Sequence, residues 1–456
     1  MPEPDEISYG DLTFQDSHPG VTSAIASLAG LTPPAVETCR VLELGCGTGF
    51  NLLAMSQSIP GGKFTGIDYS PVHISRANEV AGIIGANNVS FHCLSIDNFH
   101  AAPGSFDYII AHGVYSWVPA PIRDAILAII VRHLSPNGLA YISYNTHPGW
   151  HLRSLVRDSL RFFASSPSPR QGVDRLTESL VVPDSLYSRV LRAEWADARA
   201  LPDYYIAHEY LVPDNDPVFF HDFVRHAAAF DLQFAAEARF ISNSFAQSEK
   251  IQAQLEDGNG GDPIRREQHL DWLVGRYFRQ TLLCHAGLPL TRDPDPQGIL
   301  AMRIAPTAEI LERSSGNLRV RQALGKELEV TDEAYLQIIR QLEGTGAIPA
   351  REIELPGLPG PIVAAVLWSG WRDGLWALRA DEPFMTHTLS ERPRACPLAR
   401  VQAAAGPDCT NRFHRRVCLT AEEQHLLQTL DGSRSIGPAD KPTLARLAAL
   451  GLLTNS

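Results

Sequence analysis

The chain has 456 residues, 44% hydrophobic and 20% charged, with 34 glycines and 33 prolines, a composition that excludes a disordered or fibrous protein. A net charge of −12 argues against a nucleic-acid partner, whose phosphates need a basic face, and favours a basic substrate. The polar, acidic start MPEPDEISYGDL lacks a signal-peptide pattern, and no apolar run approaches the ~20 residues of a bilayer crossing, so a cytoplasmic protein without membrane insertion is expected.

Short apolar runs alternate with amphipathic segments over the first 170 residues, which predicts a parallel, doubly wound α/β sheet. In chain order the strands are RVLELG, KFTGIDY, VSFHCLS, FDYIIAH and LAYISYN, with NLLAMSQSI and PVHISRANEVAGII as helices between them. Turn-forming breaks at SSPSPRQG and DPDPQG divide the chain into 1–170, a mostly helical middle domain at 171–295, and a C-terminal domain at 296–456. A third break, ELPGLPGP, interrupts the last of these. Near the end, Thr420 and Glu423 form a capping box for EEQHLLQTL, and TLARLAALGLL follows as a second amphipathic helix. The pattern suits a winged-helix-like module with few basic residues on its second helix, which points to packing or substrate contact rather than DNA. The seven cysteines include no CxxC pair and read as reduced thiols. Cys396, Cys409, His414 and Cys418 fit no zinc spacing, and no metal is expected.

The segment VLELGCGTGFN carries the strongest chemical signal. A strand runs into Gly45, Gly47 and Gly49 and a helix follows at once, so backbone N–H groups can approach a ligand where a Cβ would intrude. A dinucleotide fold wants G-x-G-x-x-G, but Phe50 occupies that last place and Gly49 comes one residue early. Glu43 at the strand end would repel a pyrophosphate and could orient a cation. S-adenosylmethionine (SAM), a zwitterion with a sulfonium, is therefore preferred to NAD. Cys46 and Asn51 belong to the same loop and helix start. Asp68, with Tyr69 beside it, ends the next strand about 20 residues on, where a carboxylate accepts both ribose hydroxyls. Ser95, Ile96 and Asp97 follow the third strand and are candidates for the adenine edge. The fourth strand releases His112, Gly113, Tyr115 and Trp117, and the fifth releases Tyr144, Asn145 and Trp150. Ligands of a doubly wound sheet bind beyond the carboxyl ends of its strands, so these loops predict an aromatic pocket.

Taken together, the chain resembles the class I methyltransferases that carry a methyltransferase regulatory domain, and is similar to the rickettsial outer-membrane-protein lysine methyltransferases. The resemblance rests on His18-Pro19, VLELGCGTGFN, GIDYS, FDYIIAHGVYSWVP, SYNTHPGW, HEYL, PVFFHDFVRHA and FRQTLLCH, and covers most of residues 9–290. It implies SAM-dependent N-methylation of a protein, a peptide or a small amine, with lysine as the substrate class. His112, Tyr115, Trp117 and Tyr144 are the catalytic candidates, acting by positioning more than as one essential base. Tyr9, Tyr115, Trp117, Asn145, Trp150, Tyr204 and His208 are the substrate candidates, with Phe14 as a further cap. Methylation of a small metabolite on N or O, and SAM binding without turnover, are the alternatives.

Overall fold

A computed structural model describes residues 11–454 apart from 164–168, 180–184, 202, 240–250, 252–254, 256–258, 315, 323–326, 344–345 and 384–389. Strands β1 (Arg40–Leu44), β2 (Lys63–Asp68), β3 (Val89–Cys93), β4 (Phe106–Ala111) and β5 (Leu134–Asn145) occupy the five expected segments. Helices α1 (Pro19–Leu28), α2 (Phe50–Ser58), α3 (Pro71–Ile84) and α4 (Ala120–His133) accompany them. Their ends follow from local chemistry. His18 caps α1 by accepting the Gly20 N–H, and Ser70 caps α3 by accepting that of His73, each with proline in the first turn.

The sheet does not stop at residue 170. Its order is β3-β2-β1-β4-β5-β7-β6, in which β6 (Leu232–Glu237) and β7 (Phe278–His285) come from the middle segment. The first five strands are parallel, and β7 runs antiparallel to both β5 and β6. FRQTLLCH is therefore a buried strand, paired on both edges and buried on both faces, so that polar Arg279, Gln280 and Thr281 are buried along with Leu282, Leu283 and Cys284. Between β5 and β6 the chain is helical: α5 (Gly149–Phe162), α6 (Pro169–Ser179), α7 (Leu186–Arg199) and α8 (Asp203–Ile206), which continues as a π-helical turn over Ala207–Leu211. Val156, Leu160, Leu191, Trp195 and Tyr210 give these helices their own core. Helices α9 (Phe220–Ala228) and α10 (Pro263–Val274) flank β6 and β7.

The two faces of the sheet bury different residues, as the period of two requires. Tyr108, Ile110, Leu139 and Tyr141 point to one face, and Ile109, Ala111, Ala140, Ile142 and Tyr144 to the other. The C-terminal segment contains two cores rather than one. Ile304, Leu318, Leu336, Leu367 and Trp376 build the first, and Ala399, Leu426, Leu444, Leu447 and Leu453 the second. The second holds the Thr420–Glu423 capping box as expected, together with a hairpin of Asp408–Thr410 paired with Arg416–Cys418. Among the described residues no helix is long and apolar enough to cross a membrane.

Candidate active site

The carboxyl ends of β1 to β4 lie side by side, and the glycine loop turns above β1. Gly45, Gly47 and Gly49 have φ of 70°, 52° and 77°, the left-handed region that favours glycine. The three differ in what a side chain would meet. A Cβ on Gly45 would lie 2.6 Å from Val114, and one on Gly49 would lie 2.6 Å from the Phe91 ring, whereas one on Gly47 would have nothing within 4 Å. Two glycines thus permit close packing, and Gly47 faces open space where a ligand fits. The Cys46 side chain turns into the core, so that residue offers the site only its backbone. Asp68 ties the loop down by accepting the N–H groups of Gly47 and Ser70, both at 2.9 Å.

Beneath the loop lies a buried carboxyl. Glu43 accepts a 2.7 Å hydrogen bond from the Asn51 amide at Oε1, and its Oε2 is buried with no partner among the described residues. Burial pushes the Glu43 pKa up to about 8, against the Asn51 hydrogen bond and with help from Asp68. A buried, half-satisfied carboxyl beside an open cradle fits the ammonium group at the amino-acid end of SAM. Tyr69 is exposed beyond β2, and Ser95, Ile96 and exposed Asp97 follow β3, with the Ser95 hydroxyl bonded to the Asp97 carboxylate. These four lie together at the carboxyl ends of β2 and β3. His112 and Gly113 follow β4 on the other side, and Gly113 donates its N–H to Ser143 Oγ at 2.8 Å.

His112 is the centre of the remaining rim. Phe14 stacks on its ring at 3.5 Å, and Phe278 meets it edge-on at 6.0 Å. Gln280 Nε2 donates to the Tyr141 hydroxyl at 2.9 Å, which leaves that hydroxyl's proton for His112 Nδ1 at 3.0 Å. The imidazole therefore carries its proton on Nε2. Burial, with Arg239 nearby, lowers its pKa to about 3, so it is neutral at physiological pH. Asp16 continues the chain by accepting from Gln280 at 3.2 Å and pairing with Arg239 at 2.9 Å.

Several sequence expectations need correction. Tyr115 and Tyr144 do not join His112. Both are buried on the opposite face of the sheet, where Tyr144 stacks on Phe223 at 4.1 Å and bonds Thr281 at 3.0 Å. Tyr115 meets the same Phe223 ring edge-on and bonds His226 at 2.7 Å. Strand parity accounts for this: Tyr144 and Tyr141 are an odd number of residues apart, so they cannot share a face. Trp150 is fully buried against Tyr210, and His208 is buried, so neither lies open to a substrate. Trp117 is half-buried in the turn after β4. Asn145 is buried at the end of β5, donating to Asn215 at 3.1 Å. Tyr9 and the Tyr204 side chain lie outside the described residues. Cys396 and Cys409 are buried in the last core, while Cys418 is exposed and His414 points elsewhere.

Sequence reasoning passed over a second cluster beside Asn145. Glu209, on the π-helical turn, receives a hydrogen bond from Asn145 and lies near Arg153 and Arg157; burial outweighs all three and raises its pKa to about 7. Arg153 lies over the Tyr277 ring at 3.5 Å, with Tyr205 and Tyr210 close to its charge. The signal available in advance was HEYL, of which only the histidine was singled out.

Comparisons with known proteins agree with this architecture. Residues 35–180 match the family model "Methyltransferase domain", 202–285 match "Predicted methyltransferase regulatory domain", and 391–438 match "PKMT, C-terminal winged helix domain". Two proteins of Rickettsia prowazekii are similar in sequence. RP789 is 38% identical over 63% of this chain and 54% of its own length, so the chain spans about half of that relative. RP028 is 36% identical over 49% of this chain and 92% of its own length. The structure of PKMT2 from Rickettsia typhi in complex with AdoHcy superposes with a TM-score of 0.82 at 27% identity, covering 98% of this chain and 93% of that one. A glycine cradle with an unsatisfied buried carboxyl, a regulatory segment that completes the sheet, and a C-terminal winged helix occur here in one chain, which belongs to the SAM-dependent class I methyltransferases that carry a methyltransferase regulatory domain.

Proposed function

We propose that the protein methylates the side-chain nitrogen of a lysine in a protein or peptide. SAM supplies an electrophilic methyl on its sulfonium; this chain's residues hold the reactants and govern protons. The Gly47 cradle, Asp68 and Glu43 are positioned to hold the cofactor, and Phe14 shields His112 from water. The observation that carries the lysine reading is Glu209 among tyrosine rings, at the carboxyl end of the strand next to β4. A carboxylate with ring faces beside it attracts an ammonium group, and Arg153 over Tyr277 illustrates how a cation is received there. The net charge of −12 also favours a basic partner.

A lysine, with a reference pKa of about 10.4, must shed its proton before attack. Neutral His112, with its pKa near 3, is no base for that task. Its Nε2–H instead serves as a fixed donor at the rim, and Glu209 draws the ammonium in and can accept its proton. The test is incubation of the full chain with methyl-labelled SAM and lysine-rich proteins, followed by peptide mass spectrometry. Label on lysine side chains is expected. Label confined to small amines or to oxygen atoms would overturn the reading.

A further inference from the structure

The hairpin of the last module, Asp408–Thr410 paired with Arg416–Cys418, has a tip that does not face solvent. The turn between its strands runs from Asn411 to Arg415. The Asn411 carboxamide accepts the N–H groups of Phe413 and Arg415, at 3.0 and 2.9 Å, and donates to Leu450 O at 2.9 Å. At the centre of this turn His414 adopts φ of 61°, one of only two non-glycine residues with positive φ among those described. A left-handed backbone at such a residue persists only when its surroundings over-determine it, and such strain marks sites where a side chain must be aimed. His414 is buried and aimed at the methyltransferase domain.

Its target is Asn51. His414 Nε2 lies 2.7 Å from Asn51 Oδ1, 363 residues away in sequence. The backbone N–H of Phe14 donates to the same oxygen at 3.1 Å. Because a backbone N–H can only donate, the atom facing it is the amide oxygen, and the Asn51 orientation is settled without appeal to the histidine. His414 must then donate from Nε2, consistent with a neutral ring. The Asn51 NH2 is left to donate to Glu43 Oε1 at 2.7 Å and to Ser17 Oγ at 3.2 Å. Asn51 can thus present its donor to Glu43 only while two donors hold its oxygen, one from the N-terminal segment and one from the hairpin.

We infer that the tip of this hairpin completes the cofactor site: His414 is a positioning residue that, through Asn51, aims the Glu43 carboxyl at the amino-acid end of SAM. The inference rests on the reading of Glu43 as the contact for that end. N-terminal contacts follow the same path. Thr13 meets Thr410 at 3.2 Å, and Asp11 O accepts from Gln402 at 3.3 Å, so the segment before α1 lies between the glycine loop and the module.

Calorimetry on the full chain with two probes tests this. S-adenosylhomocysteine carries the amino-acid end, whereas 5′-methylthioadenosine keeps the adenosine and thioether without it. Asparagine tolerates a left-handed backbone but is too short to reach Asn51, so His414→Asn removes the hydrogen bond without adding strain. It is expected to weaken S-adenosylhomocysteine about tenfold and to leave methylthioadenosine unchanged. His414→Gln, whose amide nitrogen sits near the position of Nε2, should restore most of the loss. Equal weakening of both probes would mean a purely structural role and would overturn the inference, as would no weakening of either. Should His414→Asn fail to fold, Asn51→Asp keeps the acceptor and removes the donor to Glu43, and the same selective loss is required of it. Glu43→Gln separates the two levels. If it binds both probes normally, the reading of Glu43 fails and the inference with it; if it alone loses S-adenosylhomocysteine while His414→Asn does not, only the hairpin's role fails.

Discussion

Glu43 and Glu209 are carboxyls whose ionisation the fold has shifted toward neutrality, and each can be read out by pH. With its pKa near 8, Glu43 is mostly protonated at pH 7 in the ligand-free chain. A cation brought against it favours the charged form. SAM binding at pH 7 should therefore release up to about one proton, seen as a dependence of the calorimetric enthalpy on buffer ionisation, and Glu43→Gln should abolish that dependence. Glu209 has a pKa near 7. It is charged above that value, so the KM for a lysine peptide should fall as pH rises through about 7, and in Glu209→Gln this limb should be missing. His112→Asn should keep it, because a group titrating near 3 contributes nothing in that range. A limb lost with His112 instead would make the histidine the base. Glu43 was legible in the sequence, since an acid at a strand end before a glycine loop has few other uses. Glu209 was not, because its environment comes from Asn145, Arg153 and Tyr277 on three separate elements.

Among the elements, the glycine loop gives the sharpest contrast. Gly47→Ala adds a methyl group to open space and, at φ of 52°, left-handed strain of about 1 kcal/mol. It should fold with a slightly lower Tm and bind SAM much more weakly. Gly49→Ala meets the Phe91 ring at 2.6 Å and the Ala77 side chain at 2.9 Å, so its Tm should fall considerably further. A Gly49→Ala chain as stable as Gly47→Ala would contradict the packing assigned to these positions. Strand β7 carries another test. Arg279 is fully buried, bonded to both oxygens of Asp271 at 2.9 Å, paired with Glu237 and Glu267, and lies over the Phe220 ring. Arg279→Met strands three carboxyls around one site and should cost about 3–5 kcal/mol in urea denaturation, although methionine fills much of the volume. The five parallel strands and their helices were readable from alternation, glycines and caps. The two added strands were not: β7 carries polar Arg279, Gln280 and Thr281 and shows no clean alternation, and a strand is stabilised by its neighbours, here β5, rather than by its own residues.

At the scale of the molecule, the N-terminal segment, the sheet and the C-terminal modules meet around buried histidines. His18 caps α1, lies 3.1 Å from Arg379 beyond the sheet domain, and has its ring 5.2 Å from that of His414. Burial, with Arg379 beside it, lowers the His18 pKa well below its usual 6.5. Below pH 6.5 the unfolded chain takes up a proton at this residue and the folded chain does not, so folding loses stability as pH falls. The stability advantage of the wild type over His18→Gln should accordingly shrink on acidification below pH 6.5, by about 1.4 kcal/mol per pH unit. A constant difference between pH 7 and 5 would show that His18 titrates normally in the fold.

What the sequence determined by itself is the local chemistry: the glycine loop and its acid, the caps, the parallel strands, and a SAM cradle in place of a dinucleotide site. These depend on residues a few positions apart, whose spacing survives in a linear reading. The tertiary structure decided which aromatics share a face, since His112 and Tyr144 lie on opposite faces of one sheet. It also decided that Phe14, Gln280 and His414 share one site with Asn51 and His112. Those contacts span 37 to 363 residues, and they exist only because the sheet order, the added strands and the docked hairpin bring their backbones together.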